Sequence, residues 1–234
     1  MNPHCLICYA IIPPIIGWTA LLSSEREKFI CPTCEGKLEE IHGKTCRICS
    51  RPFHLLEQQF RSGDLCHDCV RWEEDQEWSG FLDKNISIFQ YNDFLKDVIA
   101  RFKFRGDYLI SKVFAESIKK RLNALNADLF VPIPLSNERL YERGFNQAEA
   151  ILFESGFLPT HLLSRVHSEK QSKKTRAERI HLSQVFQICD EINIEGKKIV
   201  LIDDIYTTGS TLRHAAKLLK GAGAESIQSI TLAR

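Results

Sequence analysis

Two adjacent acids, Asp203 and Asp204, end the apolar run Ile199-Val-Leu-Ile202, and a short polar turn with Thr207, Thr208, Gly209, Ser210 and Thr211 follows them. A strand that ends in paired carboxylates and passes into a hydroxyl-rich turn opening a helix brings three chemistries together. The carboxylates accept hydrogen bonds from a sugar diol, and they sit where Mg²⁺ on a pyrophosphate can be held directly or through water. Free N–H groups and the positive dipole end at a helix N-terminus suit a phosphate monoester, and the Thr and Ser hydroxyls add donors. Gly209 lets the backbone approach that group closely. An acid pair capping an ordinary turn is the plainer alternative. ATPase and dehydrogenase readings fall away, because no GxxxxGK[ST] occurs and Gly221-Ala-Gly223 lacks the third glycine of a dinucleotide fingerprint.

A second chemistry lies in the cysteines. Eight of the nine fall into C-x-x-C pairs, Cys5/Cys8, Cys31/Cys34, Cys46/Cys49 and Cys66/Cys69, with only Cys189 apart. Tetrahedral zinc takes two such pairs per site, so these eight thiolates imply two zinc ions with no position open to water, hence structural metal. Sequential pairing makes two ribbons of two knuckles each. Interleaved pairing stays open, as does a histidine (His42, His54 or His67) in place of a thiolate. Free thiols and a thioredoxin-type redox pair are weaker alternatives, the latter needing a single exposed C-x-x-C at a helix start.

These residues need elements to position them. Cysteine density divides the chain near residue 80, giving a zinc module over 1–80 and an α/β domain over 81–234. The first part holds 8 Lys/Arg against 12 Asp/Glu and the second 23 against 18, so a net −4 faces a net +5 within an overall +1. In the second part, strand-like runs at 86–91, 128–134, 198–202 and 227–232 alternate with helical patterns at 94–102, 108–125, 137–154 and 211–219. That alternation predicts a mostly parallel sheet flanked by helices, with the loops after Val131 and Ile202 side by side beyond the strand ends. Residues 165–181, polar and basic with no apolar stripe, read as a long functional loop, or more plainly as a solvated linker. The uncharged stretch Cys5 to Leu22 carries two adjacent prolines and no basic leader, which fits neither a signal peptide nor a membrane span; a cytoplasmic protein is expected.

The stretch Ile199 to Thr211 resembles the signature of type I phosphoribosyltransferases over its whole length. Val131-Pro-Ile-Pro134 with Arg143-Gly-Phe-Asn-Gln147, and Phe102-Lys-Phe-Arg-Gly-Asp107 upstream, resemble the ComF family, a competence-associated branch that also carries an N-terminal double zinc ribbon. The resemblance implies a phosphoribosyl-pyrophosphate site with Mg²⁺. Asp203 and Asp204 would take the ribose hydroxyls, and Thr207, Thr208, Gly209, Ser210 and Thr211 the 5-phosphate. Arg139 and Arg143, four apart on one helix face, offer guanidinium forks for phosphate oxygens, or are solvated helix residues. Within the basic loop, Gln171, Lys173, Lys174 and Arg179 match the family's mobile lid. An acid that purine-salvage relatives carry three positions after the second signature acid is Thr207 here, so no catalytic residue is assigned.

Two classes of function follow: a phosphoribosyltransferase with an unidentified nucleophile, or a non-catalytic module binding phosphoribosyl pyrophosphate or DNA. The resemblance further implies a role in natural transformation, the passage of single-stranded DNA inward beside a DEAD-box-like ATPase. The charge split suggests the acidic module for the ATPase and the basic loop for DNA.

Overall fold

The computed structural model describes residues 3–13, 27–166, 185–189 and 192–234. In chain order, a single-turn α1 (Pro32–Glu35), β1 (Arg61–Ser62), β2 (Leu65–Cys66) and α2 (His67–Glu74) belong to the cysteine-rich part. Then come β3 (Lys84–Phe89), α3 (Asp93–Phe104), α4 (Ile110–Leu122), β4 (Leu129–Pro132), α5 (Asn137–Arg143) and α6 (Gln147–Glu154). The chain continues with β5 (Leu163–Arg165), β6 (Phe186–Ile188), β7 (Lys198–Ile205), α7 (Ser210–Gly221) and β8 (Ser226–Ala233). Among the described residues no helix is long and apolar enough to cross a membrane.

The central sheet has the order β3-β8-β7-β4 with every neighbour parallel. A parallel sheet needs cover on both faces, and the consecutive apolar residues of β7 meet that demand by alternation. Ile199 and Leu201 enter one core while Val200 and Ile202 enter the other. The core of Val200 and Ile202 is built with Leu95, Val98, Ile99 and Phe102 of α3, Phe114 of α4 and Ile151 of α6. Across the sheet, Leu212, Ala215, Ala216 and Leu219 of α7 fill the other. Pairing Pro132 with Ile202 sets the carboxyl ends of β4 and β7 beside each other, as the strand pattern predicts.

The cysteines pair sequentially and not in the interleaved arrangement: Cys5, Cys8, Cys31 and Cys34 form one cluster, Cys46, Cys49, Cys66 and Cys69 the other, and none of the three nearby histidines joins either. Each cluster packs against a different face of the sheet, the first in the core with α3 and the second in the core with α7. All ligand sulfurs of a cluster lie within 4.8 Å of one another, and the Cys8–Cys31 and Cys49–Cys66 sulfurs are 3.6 Å apart. That matches the roughly 3.8 Å edge of a tetrahedron with Zn–S near 2.3 Å, so both clusters can hold structural zinc.

Hydrogen bonds seat each cluster. Arg101 of α3 donates to the carbonyls of Leu6 and Ile7 and to the Tyr9 hydroxyl, and its other anchor is Asp107 at 2.7 Å. On the opposite face Asn85 N–H donates to Ile48 O at 2.6 Å and Ser50 Oγ donates to Asn85 O at 2.7 Å. The Asn85 side chain continues inward to Ser87 and Ser229, both at 2.8 Å, so these buried side chains are partnered.

Two local expectations are revised. The single helix over 137–154 is two helices, because Gly144 adopts φ 78° and its N–H closes on Leu140 O at 2.9 Å, an αL stop. Asn146 then caps α6 by accepting from Ala148 N at 3.0 Å. The basic stretch 165–181 begins inside a strand: Arg165 is in β5, which pairs antiparallel with β6. Gln171, Lys173, Lys174 and Arg179 lie outside the described residues.

Candidate functional site

The site sits at the carboxyl ends of β7 and β4. Asp203 and Asp204 close β7, Tyr206 to Gly209 make the turn, and Ser210 opens α7. Gly209 has φ 80°, and a Cβ there would meet the Tyr206 hydroxyl at 2.1 Å, so the turn demands glycine on both counts. The N–H groups of Thr207, Thr208 and Gly209 find no acceptor among the described residues, while Ser210 N–H approaches Thr208 Oγ1 at 3.4 Å. Unpaired amides at a helix start form a concavity that suits an anion. Thr207 and Thr208 are exposed and Thr211 is half-buried.

The acids are held in different ways. Asp204 is buried and takes Lys103 Nζ on both carboxylate oxygens at 2.8 Å. Asp203 accepts from the Asp204 amide at 2.9 Å. Burial first, and the Asp204 charge second, push the Asp203 carboxyl up to about 7, against the pull of Lys103 and Arg165. The folded form therefore binds a proton that the unfolded chain has already released at its ordinary value of 3.8, and stability falls as pH rises through the window between them. The thermal midpoint of the ligand-free protein is expected to drop from about pH 5 to about pH 8, and Asp203→Asn to flatten that drop, read by calorimetry across the series. An equal slope in the variant would assign the dependence to other groups.

Cations converge on this pair from three elements. Arg143 ends α5, feels both acid charges, and is lowered from the ordinary guanidinium range chiefly by burial. Its Nη1 donates to the buried Gln147 side chain at 2.9 Å and its guanidinium lies 5.7 Å over Phe104. Arg165 of β5, also lowered by burial, senses Asp203 and stacks on Phe186 at 5.4 Å. Arg139 is exposed, with no ion pair among the described residues, and acts on both neighbouring arginines as a like charge. The motif Gly144-Phe-Asn-Gln147 thus has a positioning task. Gly144 ends the helix, Phe145 packs on Phe102 and Tyr108, and Asn146 ties back to Ile133 O at 3.0 Å.

Sequence reasoning overlooked Lys103 as a partner of the acids, although it lies in the upstream motif. It also overlooked what holds the turn from behind. Arg234 donates to Tyr206 O at 3.2 Å and Thr207 O at 3.0 Å while its guanidinium covers the Tyr206 ring at 4.6 Å. Trp72 of α2 donates to Thr208 O at 3.1 Å. Tyr206 itself is buried beside the second cysteine cluster; burial, then the Cys69 and Cys49 charges, push its phenol above the usual range. No local pattern announces contacts that span such separations.

The Phosphoribosyl transferase domain model matches residues 158–234, the part holding β7, the turn and α7. Competence protein ComFC of Bacillus subtilis (strain 168) is 39% identical over 98% of this chain and 94% of its own length. Competence protein ComFC of Streptococcus pneumoniae (strain ATCC BAA-255 / R6) is 34% identical over 98% and 99%. Competence protein F of Haemophilus influenzae (strain ATCC 51907 / DSM 11121 / KW20 / Rd) is 30% identical over 88% and 97%. With a phosphoribosyltransferase-type sheet, two cysteine clusters and relatives matched along nearly their whole length, the chain belongs to the ComFC family of competence proteins.

Proposed function

We propose that the turn from Asp203 to Thr211 binds phosphoribosyl pyrophosphate as its Mg²⁺ complex, and that the protein serves natural competence, acting in the uptake of single-stranded DNA. The observation that carries the reading is an acid pair at a strand end, flanked by Lys103, Arg143 and Arg165, next to a turn with three amides lacking acceptors among the described residues. On this reading Asp203 and Asp204 take the ribose hydroxyls and Thr207 to Thr211 the 5-phosphate. Arg139 and Arg143 face the pyrophosphate, and Gln171, Lys173, Lys174 and Arg179 are assigned to the same ligand by the family resemblance. Bound Mg²⁺ would offset pyrophosphate charge, which lets two carboxylates and a polyanion share one site. Since Lys103 occupies Asp204 in the ligand-free protein, binding must loosen or share that contact.

Single-stranded DNA and a DEAD-box-like ATPase are the partners this reading expects, in the cytoplasm, with zinc in both cysteine clusters. Turnover on an unidentified nucleophile is the second reading. Titration calorimetry of phosphoribosyl pyrophosphate with Mg²⁺ tests the first. Asp203→Asn/Asp204→Asn is expected to weaken binding at least about a hundredfold while keeping its fold by circular dichroism, as hydrogen bonds to charged groups contribute about 1.5–3 kcal/mol each. Wild-type protein that takes up no ligand would overturn the assignment.

A further inference from the structure

The turn's carbonyls are gripped by side chains from distant parts of the chain, and one of these comes from the cysteine-rich part. Tyr206 O and Thr207 O accept from Arg234, and Thr208 O accepts from the Trp72 indole. Three successive carbonyls are therefore tied on one side, while the amides of Thr207, Thr208 and Gly209 donate to nothing among the described residues. Fixing the peptide planes from behind keeps those donors oriented before a ligand arrives, which lowers the ordering cost of binding.

Trp72 is itself held by the second cysteine cluster. Cys66 is the N-cap of α2 and Cys69 lies in its first turn, so the helix is clamped at its start by two members of the cluster and reaches the turn one helical turn later. The next residue, Glu73, accepts from Arg213 of α7 at 2.9 Å, and the Arg213 guanidinium lies over the Trp72 ring at 5.1 Å. α2 thus touches both the turn and the helix that the turn opens.

We propose that Trp72 is a positioning residue of the anion-binding turn, and that through α2 the integrity of the second cysteine cluster and ligand affinity at the turn are linked. This inference rests on the reading of the turn as a phosphoribosyl-pyrophosphate site, and it has a readout that does not. By linkage, whatever stabilises one end of this contact chain stabilises the other.

Trp72→Phe keeps an aromatic ring under Arg213 and removes only the indole donor. In the ligand-free protein, faster amide hydrogen exchange is expected in this variant at Tyr206 and Arg213, whose N–H groups bond Ala233 O and Gly209 O at 2.9 Å on either side of the turn. Trp78→Phe, which alters the same aromatic cluster and touches His214 and Lys217 of α7 but makes no hydrogen bond to the turn, should leave exchange at Tyr206 unchanged. Calorimetric affinity for phosphoribosyl pyrophosphate with Mg²⁺ should fall about three- to tenfold in Trp72→Phe, the range of one lost hydrogen bond. In unsubstituted protein, saturating ligand should slow zinc release to a chromogenic chelator from one of two sites only. Unchanged exchange in Trp72→Phe overturns the positioning role whether or not ligand binds. Faster exchange with unchanged affinity, or ligand that slows both zinc sites or neither, overturns the linkage. Absence of binding to wild-type protein overturns the ligand reading alone, and exchange still decides the role of Trp72.

Discussion

Stripping metal from the second cysteine cluster is expected to unfold the protein, with loss of near-ultraviolet circular dichroism together with loss of the thermal transition. Cys46, Cys49, Cys66 and Cys69 are all buried, and they share one core with Leu201 of β7 and Leu212, Ala215 and Leu219 of α7. Removing the ion leaves four sulfurs that must take up protons, and the cross-link that holds the ribbon against this apolar core is lost. Structural zinc of this type contributes on the order of 10 kcal/mol at neutral pH, as much as the whole stability of an ordinary domain. Elemental analysis of native protein should give two zinc per chain, and Cys66→Ser should give an insoluble or unfolded product. The first cluster should lose its ion sooner, since Cys8 is exposed while every ligand of the second is covered. Cys189 lies in neither cluster, so Cys189→Ser should leave zinc content and the midpoint unchanged. Metal-free protein that still melts at the native temperature would remove the structural role.

The second large effect concerns Arg213, whose side chain is 0% exposed while its partner Glu73 is 25% exposed. Only Nη1 has a carboxylate; Nε and Nη2 are buried with no hydrogen-bond partner, and the Trp72 face supplies the remaining contact. Removing Glu73 leaves the fully buried Arg213 charge uncompensated, whereas removing the Arg213 charge leaves Glu73, which is partly exposed and still accepts from Gly80 N–H at 3.1 Å. Glu73→Ala is therefore expected to cost about 3–5 kcal/mol in urea unfolding, and Arg213→Met about 1 kcal/mol or less. Equal losses in the two variants would show that packing, and not charge, sets the energy of this contact.

Much of the architecture was legible because it is written in short-range patterns. The run Ile199 to Ile202 could only be a strand covered on both faces, and the face Leu95, Val98, Ile99 and Phe102 could only be a buried helix. Cysteine spacing announced two metal-type clusters, though not which pairs combine; that depends on where the sheet places each ribbon. Gly144 was visible as a residue, but its αL geometry depends on α5 and α6 needing a sharp change of direction. β5 and β6 escaped because three-residue strands carry too little alternation to stand above their polar surroundings. The acids and the hydroxyl turn were legible as a motif. Lys103, Trp72 and Arg234 were not, for each reaches the site from a distant element, and tertiary contacts leave no periodic trace.

The placement of the cysteine clusters against opposite faces of one sheet bears on how the chain is made. Glu73 and Arg213 are separated by 140 residues, and Asp83 and Ile227 by 144, so the partners that cover the second ribbon leave the ribosome long after it does. Residues synthesised first must wait, apolar surface and thiolates uncovered, until β7, α7 and β8 are available, a topology that favours slow folding and exposure to aggregation. Early zinc capture during translation would hold each ribbon in shape through that interval, which gives metal supply a say in the yield of folded protein as well as in its stability.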